Sequence, residues 1–204
     1  MDKSFLDTAY SLDGPGGARA LYDIWAESYD AEIARNGYAT PRRCAEALAR
    51  FCRADDAAVL DFGCGTGLSG LALCAAGFET IDGVDLSVEM LDRAKTKGCY
   101  RSLNVIYEGA APSIKAGDYA AITAVGVFGP GHAPPDTFDT LINSLQPGGL
   151  IVLSLNDESL KDPGFEARIL VHVEAGTARL LHRQHGDHLP SINLGSVVYV
   201  IEKL

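Results

Sequence analysis

The stretch AVLDFGCGTGLSG, from Ala58 to Gly70, carries the densest chemical signal in the chain. Glycines that follow a strand and open a helix let a ligand approach the backbone and meet the positive end of the helix. Two registers are present. Gly65, Gly67 and Gly70 spell G-x-G-x-x-G, the spacing of a dinucleotide turn, and Gly63, Gly65 and Gly67 spell the tighter G-x-G-x-G. Asp61 stands just ahead of the glycines, where a carboxylate suits a ligand with positive charge better than a pyrophosphate. Asp85, in TIDGVDLSVEML, lies where an acid can accept hydrogen bonds from both hydroxyls of an adenosine ribose, and that role fits either register.

Other residues invite weaker readings. His132, on a loop in TAVGVFGPGHAPPDTF, is the best-placed candidate to orient or deprotonate a substrate; capping a backbone carbonyl is its plainer role. Tyr22, Trp25 and Tyr29 recur at helical spacing, which ordinarily marks the apolar stripe of an amphipathic helix. His182, His185 and His188 lack a closed ligand set and read as a polar hairpin loop, so no metal is expected. Five cysteines without a C-x-x-C pair suggest reduced, buried thiols, and Cys64 inside the turn reads as a small packing residue.

These groups need a scaffold, and short apolar runs alternating with helical segments predict an α/β fold with a parallel sheet and crossover helices. Strands are expected near Ala58–Phe62, Glu79–Val84, Leu103–Tyr107, Ala120–Val125 and Leu150–Leu155. Helices fit near Gly67–Ala76, Ser87–Thr96 and Pro135–Leu145. TARLLHRQ and SVVYVIEKL, with no long helix between them, read as an antiparallel pair. Ahead of the first strand, RALYDIWAESYDAEIARN and TPRRCAEALARFC each read as one helix.

With 204 residues and 47% hydrophobic content, the chain is sized for a single domain, 1–204, in which 1–53 form a helical cap and first helix and 54–204 the sheet core. A formal charge of −10 without a Lys/Arg cluster argues against nucleic acid or an anionic membrane as partner. The first residues lack a secretory pattern, so a cytoplasmic protein is expected.

VLDFGCGTG, GVDLSVEML and LQPGGLIVLS together resemble the class I S-adenosylmethionine-dependent methyltransferases. LYDIWAESYDAEIARNGYATP resembles the N-terminal segment of the Williams-Beuren syndrome region methyltransferase-like group. The resemblance implies a Rossmann-like sheet of seven strands, mostly parallel with an antiparallel last strand and helices on both faces. It implies S-adenosylmethionine as cofactor and a methyl acceptor, here expected to be a small molecule. By matching position, Gly63, Gly65 and Gly67 would admit the methionine part and the ribose. Asp61 would face the methionine ammonium, directly or through water, Asp85 the ribose, and Leu86 and Met90 the adenine. Val125 and Gly126 would lie beside the methionine. Ala110 stands where many members carry Asp, which leaves adenine recognition to backbone groups near Ala110 and Ala111. Tyr22, Trp25 and Tyr29 would belong to a lid over the cofactor. Two alternatives are an NAD-dependent oxidoreductase using the longer register and a non-catalytic protein that binds S-adenosylmethionine or S-adenosylhomocysteine.

Overall fold

The computed structural model describes residues 17–52, 58–107, 114–129 and 132–204. Helices α1 (Gly17–Trp25), α2 (Tyr29–Arg35) and α3 (Thr40–Ala49) precede the sheet. Then follow β1 (Ala58–Phe62), α4 (Leu68–Ala75), β2 (Thr80–Asp85), α5 (Val88–Thr96), β3 (Ser102–Val105) and β4 (Ala121–Ala124). The chain continues through α6 (Thr137–Asn143), β5 (Leu150–Asn156), α7 (Pro163–Glu174), β6 (Ala178–Leu189) and β7 (Leu194–Lys203).

The seven strands lie in the order β3-β2-β1-β4-β5-β7-β6. β1 to β5 are parallel, and β7 runs antiparallel to both its neighbours. The expected architecture, with an antiparallel last strand and helices on both faces, is therefore the observed one. Alternate residues of the central strands enter two cores. Leu60, Ile122, Ile151 and Tyr199 meet α6 and α7, whereas Val59, Ala121, Val152 and Val200 meet α3 and α4. Burial on both faces is why these strands read as near-continuous apolar runs. From β1 the chain winds outward through β2 and β3, then returns to place β4 on the other side of β1. That reversal opens a crevice at the carboxyl ends of β1 and β4.

Three expectations need correction. The first predicted helix is two, α1 and α2, interrupted at Ala26–Ser28, which lets Trp25 turn inward to pack with Ile33 and Leu189. The histidine-rich run read as a loop is strand, because β6 extends through Leu189 along β7. The cysteines are not uniformly buried, since Cys74 is exposed and Cys52 and Cys99 are half-buried.

His188, at the end of β6, is buried. Its Nδ1 shares a 2.8 Å hydrogen bond with Thr40 Oγ1, which lies 3.0 Å from Ser196 Oγ. Burial, reinforced by the Arg43 charge, pushes the imidazole down to about 4. It thus stays neutral in the fold while an unfolded chain protonates it near pH 6.5. The stability it contributes is complete above that pH and is lost as pH falls toward 4, on the order of 3 kcal/mol. Urea titrations at pH 7 and pH 4.5 are expected to show this loss, and His188→Gln to remove its share of the difference.

Candidate functional site

The glycine turn sits at the crevice because β1 delivers it there. Gly63, Gly65 and Gly67 all have positive φ, at 69°, 53° and 90°, a region that side chains with Cβ rarely adopt. Each glycine serves a different neighbour. A Cβ on Gly63 would stand 2.5 Å from Val127 Cγ2, so the loops after β1 and β4 touch here. A Cβ on Gly67 would meet Tyr100 and Ala94. Among the described residues nothing lies within 4 Å of a Cβ on Gly65, so this glycine offers open backbone.

Asp85, at the end of β2, ties the turn to the next helix. Its Oδ2 accepts from Gly65 N at 2.8 Å and its Oδ1 from Ser87 N at 3.0 Å, while Ser87 Oγ caps α5 by accepting from Met90 N. Burial pushes the carboxyl above its ordinary range, against the pull of those amides; the Asp23 charge adds to the rise. Leu86 is half-buried beside it, and Met90 is 1% exposed, packed beneath α5.

Asp61 lies behind the turn. It is 0% exposed. Its Oδ2 accepts from Ser69 Oγ at 2.6 Å and Tyr100 OH at 2.7 Å, and its Oδ1 from Thr123 Oγ1 at 2.9 Å. Three of the four lone-pair directions of this enclosed carboxylate are thus taken, which favours the water-mediated form of the expected contact to an ammonium over the direct one. Burial raises its pKa as well. Cys64 is also buried: its thiol packs against Gly83 and burial pushes it well up, which removes it as a nucleophile.

The N-terminal helices close over this region. Tyr22 stacks on Trp25 at 5.8 Å between ring centroids, and Tyr29 meets Trp25 edge-on at 4.6 Å. Trp25 is 1% exposed, and its Nε1 donates to Glu32 Oε2 at 2.9 Å. Tyr22 OH shares a 2.8 Å hydrogen bond with His132 Nε2, so the candidate base and the first helix meet. Asp30 of α2 accepts from Thr66 Oγ1 of the turn and pairs with Lys97 beyond α5. Val125 is half-buried and Gly126 exposed at the end of β4. Gly126 N donates to Ser154 Oγ at 2.9 Å, and a Cβ on Gly126 would lie 2.9 Å from Tyr38 OH. Ala110 and Ala111 lie outside the described residues.

Reasoning from sequence missed Asp30, Thr66, Tyr38 and Tyr100. Only Tyr100 left a trace, through Gly70 and Gly83, two glycines that the tighter turn register does not require.

The donor set suits a cationic nucleoside. The amide of Gly65, which would cradle a pyrophosphate, already donates to Asp85, and a second buried carboxylate lies behind the turn. Gly70, the third glycine of the longer register, is filled by Tyr100, whose ring carbon would lie 2.4 Å from a Cβ there.

A family model described as a methyltransferase domain matches residues 34–196. Human methyltransferase-like protein 27 is 34% identical over 142 residues, which cover 68% of this chain and 58% of that protein. This chain's match thus spans a little over half of that relative. A solved protein from Haloferax volcanii, held in complex with the Trm112 methyltransferase activator, superposes with a TM-score of 0.70. It is 17% identical, over 91% of this chain and 96% of that one. Magnesium protoporphyrin IX methyltransferase from Synechocystis PCC 6803, with bound S-adenosylhomocysteine, gives 0.62 at 15% identity, over 91% and 99%. At these identities the two structures speak for the fold.

Proposed function

The chain belongs to the methyltransferase-domain family of class I S-adenosylmethionine-dependent enzymes, and from that premise we propose that it transfers a methyl group to a small-molecule acceptor. The observation that best supports the cofactor reading is the 2.8 Å bond from Gly65 N to Asp85 Oδ2, which occupies an amide that a phosphate would need and sets a carboxylate beside the turn. When bound, S-adenosylmethionine supplies a methyl carbon already activated by the positive sulfur. The residues are left with alignment and exclusion of water.

In this reading Gly63, Gly65 and Gly67 admit the methionine and ribose, and Asp85 accepts from the ribose hydroxyls with its remaining lone pairs. Leu86 lies beside the adenine, with Met90 behind it, and Val125 and Gly126 border the methionine. Tyr22, Trp25 and Tyr29 form a cap on α1 and α2, the described part of the cap in a single domain 1–204 whose first 53 residues supply cap and first helix, and Asp30 latches it to Thr66. His132 holds or takes the acceptor's proton, and its partner Tyr22 fixes the ring. The small acceptor is supported by the charge of −10. A salt-sensitive, tight gel shift with RNA would overturn that part. Among the described residues no helix is long and apolar enough to cross a membrane.

Calorimetric titration with S-adenosylmethionine, S-adenosylhomocysteine and NAD tests the cofactor reading: the two sulfur compounds are expected to saturate and NAD to give no heat. Binding of NAD alone would reverse it. His132→Ala is expected to leave cofactor affinity within twofold and to lower turnover by about 100-fold or more, the usual range for loss of an acid or base. Unchanged turnover would retire His132 from the chemistry.

A further inference from the structure

We propose that Tyr100 is a positioning residue for the cofactor turn, its hydroxyl holding the Asp61 carboxylate and the first turn of α4 in register beneath the Gly63–Gly67 loop. This rests on the methyltransferase reading given above. Tyr100 precedes β3 and lies far from the turn in sequence, yet its ring threads between three glycines. A Cβ on Gly67, Gly70 or Gly83 would come within 3.1, 2.4 or 3.0 Å of the Tyr100 side chain. Those glycines make room for one ring.

The hydroxyl at the end of that ring works in both directions. It donates to Asp61 Oδ2 at 2.7 Å and accepts from Gly70 N at 3.1 Å. Ser69 Oγ donates to the same carboxylate oxygen, and Thr123 Oγ1 to the other. Asp61 thereby joins β1, β4, the start of α4 and the segment before β3, the four pieces that flank the turn. Among the described residues its hydrogen-bond donors are three hydroxyls, all neutral.

A buried carboxylate stabilised only by hydroxyls depends strongly on each of them. Among the described residues the other ionisable groups facing Asp61 offer no positive charge: Asp85 from the end of β2, Cys64 in the turn, Cys44 from α3 and Cys99 ahead of β3. Burial beside Asp61 drives the Tyr100 phenol far upward, so it remains a donor throughout the working pH range. Without that donor, Asp61 protonates at a higher pH, and the turn loses both a fixed anion beneath a cationic ligand and the tether on Gly70.

The test is Tyr100→Phe, which keeps the ring. Two measurements between pH 5 and 8 are needed: calorimetric affinity for S-adenosylmethionine and thermal melting without ligand. The expected result is about tenfold weaker binding at pH 7.5, with the fall in affinity on acidification setting in at a higher pH in the variant than in the wild type. The ligand-free melting difference should widen as pH rises. Asp61 has a raised pKa, so its ionisation costs stability as pH climbs, and it costs more when a donor is missing. Ser69→Ala, which removes the other donor to the same oxygen, should shift both curves in the same direction and serves where the Phe variant fails to fold. A melting difference that is constant with pH, together with affinity and pH profile equal to wild type, would overturn the proposal. A wild type that binds no S-adenosylmethionine would instead sink the cofactor reading, and the melting series would still decide whether Tyr100 sustains the charge on Asp61.

Discussion

Replacing Asp85 with Ala is expected to raise the dissociation constant for S-adenosylmethionine by about 10- to 100-fold. A hydrogen bond to a charged acceptor is worth roughly 1.5–3 kcal/mol and tenfold in affinity is about 1.4 kcal/mol, so the range corresponds to the net loss of about one such bond, water taking over part of the pairing of the two hydroxyls. The side chain also orders the site before any ligand arrives, because its two oxygens hold the amides of Gly65 and Ser87. The Ala variant should therefore lose part of the capping of α5 and melt a few degrees lower. Asp85→Asn separates the two effects: it keeps one carbonyl acceptor and so should hold α5 better than it holds the ribose. Calorimetry beside thermal melting reads both quantities. Full affinity in the Ala variant would mean that the ribose is held elsewhere.

Trp25→Ala is expected to have the largest effect on stability, about 3–5 kcal/mol, the usual range for truncating a buried Trp. The loss should be local. Trp25 joins Ile33 and Leu189 in a cluster flanked by Tyr22, Tyr29 and Tyr38, apart from the two cores that clasp the sheet. Hydrogen exchange should accelerate first in α1 and α2, with the central strands still protected. If these helices cap the cofactor, affinity will fall in parallel with that protection. Lost protection with unchanged affinity would make them a bystander to binding.

The sheet was the most legible part of the chain. β1 spans the residues expected from sequence, since AVLDF is apolar but for Asp61 and the glycine turn that begins at Gly63 marks its end, and Ser87 announced α5 as its cap. α7 was not expected although Asp162, Pro163 and Glu166 form a standard helix start, because its apolar residues form only a weak one-sided stripe and Leu170 and Val171 face solvent. β6 was shortened because histidine, glycine and aspartate resemble a turn. Their strand state comes from ten paired residues of β7, a tertiary cause invisible to local propensity.

The site divides in the same way. Asp85 and the glycines could be read because they act within one βα turn and the strand beside it. Asp61 was legible as an acid beside the turn, but the tyrosine and the threonine that cover it come from distant segments, and nothing local announces them. The contact of Tyr22 with His132 joins residues 110 positions apart and had no signature at all.

The placement of β7 between β5 and β6 also bears on how the protein is made. A nascent chain that has emerged through β6 holds an incomplete sheet, because β5 has an open apolar edge and β6 has no strand to pair with until β7 leaves the ribosome. Long-range pairing of this kind is slow to form, and open strand edges recruit other chains. The interval of greatest aggregation risk therefore opens when β5 is translated and closes only when β7 is inserted, so slow codons or pauses within residues 157–193 should reduce soluble yield more than equal pauses before β1.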